Sequence, residues 1–271
     1  MTSTEHGAPT ARKAPVLTFP NVVRAEWLKL WSVPSTRILA GGSLVLFVAM
    51  GVLTAAGGVA GLNSGDPIPE NFFYEYATNG ITFAQLFVAA FSVLFATSEW
   101  GFGTIQLSAA AVPKRLPLLW SKALVAGAVS FTIGAFSALL VYTLSRPVLA
   151  REGLDYPLTT PGIPMIIVST GIYLALVSWL CLGLGFLIRQ GAGAMVAAFS
   201  VLLVLPIALG IIPWESVDPI AAMLPSRAGG QMLLMETPPD SLTRLEGSIV
   251  MAGWAAAALV PAAVRLRRRA V

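Results

Sequence analysis

The residues able to do chemistry are few in this chain, and they exclude more than they suggest. The one histidine, His6, lies in a polar N-terminal stretch, and the one cysteine, Cys181, lies inside a long apolar run. A lone cysteine forms neither an intramolecular disulfide nor a cysteine metal cluster, so Cys181 reads as a small packed residue. A serine–histidine intramembrane protease and a histidine-ligated zinc protease both need imidazole beside the reacting group, which His6 cannot supply. No GxxxxGK[ST] occurs, so the chain has no P-loop of its own. Two sets of polar residues remain: Glu99, Lys114, Arg115 and Lys122 around one connection, the longest on its side, and Gln85, Tyr142 and Tyr173 inside apolar stretches.

Those residues must be positioned by six apolar stretches, near 38–59, 80–98, 123–144, 164–187, 193–212 and 248–264. A helix needs about 20 apolar residues to cross a hydrocarbon core ~30 Å thick. Each stretch is apolar on every face rather than along one stripe, which suits lipid and not a soluble core. The expected fold is therefore an all-α polytopic membrane protein with six transmembrane helices. Only 11% of residues are charged and 56% are hydrophobic, against roughly 25% charged in a soluble domain.

Charge sets the expected orientation. With both termini inside, 13 of the 17 Lys and Arg fall on inner segments, and only Arg146, Arg151, Arg227 and Arg244 fall outside. Acids are biased the other way, with Glu5, Glu26 and Glu99 inside and the other ten outside, Asp66, Glu70 and Glu75 among them. The positive-inside rule then predicts cytoplasmic N- and C-termini in a multi-pass protein of the cell membrane. The pI near 9.5 invites a nucleic-acid reading, but bases that flank apolar spans mark topology instead, and no nucleic-acid partner is expected. The first 36 residues are polar and basic, without the short apolar core of a signal peptide.

Along the chain, residues 1–19 read as a flexible cytoplasmic tail, and residues 20–271 as a single transmembrane domain. A helix is expected from Asn21, with Asn as cap. Val23, Trp27, Leu30 and Trp31 would form its apolar face, with Arg24, Glu26 and Lys29 opposite. Trp27, Lys29 and Trp31 suit an elbow helix lying in the inner membrane interface. Pro34 should separate it from the first span, because the residue before proline disfavours helix. The third span carries Ala123, Gly127, Ser130, Gly134 and Ala138, a stripe of small residues for close helix packing within the bundle or between two copies. Thr104 to Val112 would form a short helix across the inner surface. The last outer loop, 213–247, is broken by five prolines, with short helices expected at Ala221–Leu224 and Ala228–Met235 that pack on the bundle mouth.

Almost no ionisable residue sits at mid-depth in the spans. Carriers driven by protons or ions keep such groups inside the membrane at considerable cost, so an ion-driven carrier is disfavoured. Broken helices could still offer backbone to an ion, and only Pro206 hints at a break.

Four segments together resemble the type-2 ABC exporter permeases, particularly their compact six-span form. Val23-Arg24-Ala25-Glu26-Trp27-Leu28-Lys29-Leu30 with Thr36-Arg37 is similar to that family's elbow and first span. Glu99-Trp100-Gly101-Phe102-Gly103-Thr104-Ile105, followed by Pro113-Lys114-Arg115, is similar to its acidic–aromatic–x–x–Gly–Thr–Ile signature, with Trp100 where Tyr is commoner. Leu224-Pro225-Ser226-Arg227-Ala228-Gly229-Gly230-Gln231 is similar to its Leu-Pro-Ser-x-Ala-Gly segment, with one extra glycine, and Leu242 to Gly247 with Arg265 to Arg269 is also family-like. The resemblance implies two permease copies, identical or paralogous, joined to a separate cytoplasmic ATPase. That ATPase would bind the ATP and magnesium, leaving this chain with no cofactor and no catalysis of its own. The ATPase would push on the loop over 99–122, giving Glu99, Gly103, Thr104, Lys114 and Arg115 coupling roles, and Glu99 would pair with the elbow or Arg37. The alternative is a membrane sensor or assembly protein that associates with an ATPase and transports nothing. Nothing in the sequence names a substrate.

Overall fold

Val33 divides the first helical stretch in two. The computed structural model describes residues 18–63, 76–101, 116–151, 157–160, 162–212, 218–234 and 241–268. Helix α1 runs Phe19–Ser32 and α2 runs Pro34–Asn63. Between them Val33 is extended, at φ −91° and ψ 119°, as the residue before a proline prefers. The break frees carbonyls at the end of α1, and the buried Thr36 hydroxyl takes them up by donating to Leu30 O (2.5 Å) and Val33 O (2.7 Å). The elbow predicted from Pro34 is therefore present, but it begins earlier than expected. Phe19 is the first helical residue, Pro20 occupies the first turn, and Asn21 lies inside the helix rather than capping it.

The remaining helices are α3 (Ile81–Gly101), α4 (Leu116–Ala150), α5 (Ile163–Ile188), α6 (Gly191–Phe199), α7 (Leu205–Gly210), α8 (Asp218–Ala222), α9 (Pro225–Gln231) and α10 (Arg244–Arg268). A π-helical turn over Ser200–Val204 joins α6 to α7. No strand occurs among the described residues. Among the described residues, six helices are long and apolar enough to cross a membrane, counting the α6–π–α7 run as one. The chain is thus an all-α polytopic membrane protein, with the expected six spans in the expected order. Most of the observed helices run past the expected apolar stretches; α4, for example, starts at Leu116 rather than near 123, whereas the α6–π–α7 run keeps the expected length and is shifted two residues earlier.

Helix α5 is the hub, packed against α3, α4, α6 and α10. Its contact with α4 explains the small-residue stripe. Ala123, Gly127, Ser130, Gly134 and Ala138 are all buried. The Trp179 indole N–H donates to Ala123 O at 2.8 Å, and a Cβ on Gly127 would sit 2.5 Å from that same nitrogen. A Cβ on Gly134 would come within 2.7 Å of Thr170 O. The stripe therefore packs within one copy. Ser130 contributes its small size, since its hydroxyl has no partner among the described residues. A further polar tie, Ser92 to Ser178 at 2.8 Å, fastens α3 to α5.

The π turn has a local cause. Pro206 has no N–H for the carbonyl four residues back and its ring crowds that turn; the chain answers with a wider turn in which Leu205 N bonds Ser200 O. Pro206 thus bends the hydrogen-bond pattern without ending the helix. The two short helices expected between the last spans exist but are shifted, to Asp218–Ala222 and Pro225–Gln231, because Pro219 and Pro225 each open a helix rather than follow one. Met232 and Leu233 are buried against the bundle, as expected of a loop packed on its mouth. Thr243 and Glu246 form a capping box at the start of α10: the Glu246 carboxylate accepts from Thr243 N and Oγ1, both at 2.8 Å.

Candidate functional site

Helix α1 presents Val22, Glu26 and Leu30 inward, a spacing of four residues that keeps all three on one face. Glu26 is 1% exposed, although the sequence places it on the solvent face with Arg24 and Lys29. The face turned into the protein is therefore that of Val22, Glu26 and Leu30. Trp27 and Trp31, expected on the apolar face of an interfacial helix, are half-exposed and meet edge to face at 5.7 Å between ring centroids. They line a mostly apolar groove of about 370 Å³ with Arg37, Ala40, Leu44 and residues of α4.

The partner of Glu26 comes from far along the chain. Lys122 Nζ lies 2.6 Å from Glu26 Oε2, and both side chains are 1% exposed. Lys29 Nζ holds the other carboxylate oxygen at 2.8 Å from a half-exposed position. The Lys122 ammonium also reaches Phe95 O at 3.4 Å and stands 4.3 Å from the centroid of the Phe95 ring. A buried carboxylate or ammonium is stable only where it is paired and hydrogen-bonded, and this arrangement supplies both conditions. Sequence analysis places Lys122 at the inner end of the third span as a topology marker. Because α4 begins at Leu116, Lys122 is instead two turns inside a helix and fully enclosed.

This cluster joins three elements. Glu26 belongs to the elbow, Phe95 to α3 just before the connection over 102–115, and Lys122 to α4 just after it. Beside it, Trp100 packs edge to face on Phe186 with centroids 5.0 Å apart, and the Arg189 guanidinium carbon lies 6.0 Å from the Trp100 ring. Arg189 adopts a left-handed conformation (φ 62°) and closes α5 by donating its N–H to Gly185 O. The Trp100 indole N–H finds no acceptor among the described residues. Arg265 donates to Leu187 O, so it caps the end of α5, whereas Arg267 and Arg268 are exposed as expected of a basic tail.

Of the predicted coupling residues, Gly103, Thr104, Lys114 and Arg115 lie outside the described residues, as does the expected helix over Thr104–Val112. Glu99 falls within α3, but its side chain lies outside the described part, so its expected pairing with the elbow or Arg37 does too. The tail over residues 1–17 and Arg269 are also outside. Of the elbow residues, Lys29 joins the cluster and the two tryptophans do not. Gly127, Ser130 and Gly134 belong to the α4–α5 contact and not to the cluster. Two signals for Glu26 were available in the sequence: its register with Val22 and Leu30, and a lysine at 122 embedded among Leu118, Leu119, Ala123 and Val125.

At the opposite end of the bundle a second polar pair is buried. Tyr173 donates its hydroxyl hydrogen to Gln85 Oε1, joining α5 to α3. Sequence analysis singles out both residues as polar within spans and does not pair them. Gly229 on α9 sits against the Tyr173 ring so closely that a Cβ there would come within 2.0 Å of it, whereas one on Gly230 would meet nothing within 4 Å. Gly229 is thus the glycine this packing requires, and Gly230 is not.

Compared with protein-family models and with curated proteins, the chain matches none.

Proposed function

We propose that this chain is the membrane-spanning permease subunit of an ATP-driven exporter, driven by a separate cytoplasmic ATPase that engages the connection between α3 and α4. The observation that carries this reading is the Glu26–Lys122–Phe95 cluster. It fastens the elbow to the two helices on either side of that connection, so a push on the connection moves the elbow and the bundle together. Charge distribution supports cytoplasmic termini in the cell membrane, which puts the cluster and the connection on the side where ATP is available. The resemblance of four segments to type-2 ABC exporter permeases supports the same assembly, with two permease copies beside the ATPase. Hydrolysis belongs to the partner, since the chain carries no P-loop.

The test is a tagged pull-down of the full chain from gently solubilised native membranes, with bound proteins quantified. The expected result is an equimolar Walker-motif ATPase that is lost when residues 104–115 are altered. Recovery of the chain without a nucleotide-binding partner overturns the proposal. Recovery of the ATPase without any ATP-dependent substrate movement in reconstituted vesicles favours a non-transporting sensor instead.

A further inference from the structure

At the end of the bundle opposite the elbow, the described residues line a half-open cavity of about 260 Å³. Gln85 and Tyr173 stand in its wall, Leu202, Leu203 and Pro206 form an apolar side, and Ser226 and Arg227 come from α9. Two observations make this a built site rather than a packing gap. Gln85 is 3% exposed, and its Oε1 is occupied by the Tyr173 hydroxyl. Its amide N–H groups have no acceptor among the described residues and are the polar donors that Gln85 offers the cavity. An acceptor on a ligand there would pair with them. Second, Arg227 is exposed and its guanidinium lies against Gly210, where a Cβ would come within 2.7 Å of Nη2. The glycine at the end of α7 therefore leaves room for a cation on the cavity wall.

We infer that this cavity binds the oxyanion head of an amphiphile, a carboxylate or phosphate, with its hydrocarbon part on the Leu202–Pro206 side. The donors are complementary to an acceptor with negative charge, and such hydrogen bonds to an ionised group are the strong kind. Among the described residues, no acidic side chain lines the cavity to offset Arg227. The apolar wall belongs to the π turn and the proline after it, an irregularity frequent at functional sites in helices. Gly229 completes the wall indirectly, by letting α9 settle on the Tyr173 ring. The inference does not depend on any ATPase, and binding alone tests it.

The experiment is equilibrium binding of radiolabelled decanoate to the full chain in phosphatidylcholine nanodiscs, with empty discs subtracted. Saturable binding of one decanoate per chain is expected. Arg227→Gln should weaken it about tenfold, the equivalent of about 1.4 kcal/mol, and Gln85→Leu should weaken it at least as much. Arg227 is on the surface, so its variant reports even where Gln85→Leu fails to fold. Decyltrimethylammonium, with the same chain and the opposite charge, should not compete. Equal competition by that cation, absence of saturable binding, or unchanged affinity in both variants would overturn the inference. Adding phosphatidylglycerol to the discs separates the two sources of such a head. Displacement of decanoate identifies a lipid headgroup as occupant, and retention identifies a free amphiphile; both sustain the oxyanion site.

Discussion

Replacing Lys122 by methionine tests the reasoning behind the elbow cluster most directly. Methionine fills much the same length and can rest its thioether on the Phe95 ring, so the change removes a charge with little loss of packing. What it leaves behind is Glu26 Oε2, buried and with no hydrogen-bond partner other than the ammonium it faced. Breaking a buried pair from one side is destabilising by about 3–5 kcal/mol. Lys29 still holds Oε1 at 2.8 Å, so the lower end applies and we expect a loss of about 3 kcal/mol. Lys29→Met removes only a half-exposed pair three residues away on the same helix, which is worth about 0.3–0.5 kcal/mol. Removing both buried charges, in Glu26→Leu with Lys122→Met, should return stability to near that of the unmodified chain, because no unpaired charge remains buried. The assay is reversible unfolding of the purified protein in mixed micelles for the four chains of this double-mutant cycle. Lys122→Met within about 0.5 kcal/mol of the parent, or a double variant as unstable as the sum of its single changes, would refute the argument.

Other outcomes follow from the same geometry. Gly127→Val should destabilise the α4–α5 contact by about 1–3 kcal/mol through overpacking, since its Cβ would meet the Trp179 indole nitrogen at 2.5 Å; a loss of cooperative unfolding together with a red-shifted tryptophan emission checks it. Gly253→Ala is the control, because nothing lies within 4 Å of a Cβ there, and it should raise helix stability by about 0.5–1 kcal/mol. Thr243→Ala removes the capping box of α10 and should cost about 1 kcal/mol, read as faster amide exchange confined to the first turn of that helix. Glu99→Ala or Arg115→Glu should uncouple ATP hydrolysis from transport in the reconstituted complex while membrane insertion stays normal; transport and hydrolysis at parental rates in both would remove these residues from the coupling role.

The order and number of spans, the break before Pro34 and the buried small-residue stripe were all legible in the amino-acid sequence. Each depends on local composition: the length of an apolar run, the backbone restriction imposed by one proline, or the spacing of residues without bulk. The capping box Thr243–Glu246 is of the same kind, a pattern complete within four residues. What only the tertiary structure decided involves partners distant in sequence. Glu26 reads as a solvent-facing residue until Lys122, supplied by another helix, makes its burial stable. Gln85 and Tyr173 are separated by 88 positions and become a pair only because α5 packs against α3. A small residue marks a close approach without naming the neighbour, so the choice between packing within a copy and packing between copies waited for Trp179 and Thr170. Apolar patterning tells a helix that it lies in lipid, but without a soluble exterior it cannot say which face meets which helix; that is set by the few polar groups whose desolvation must be answered across the bundle.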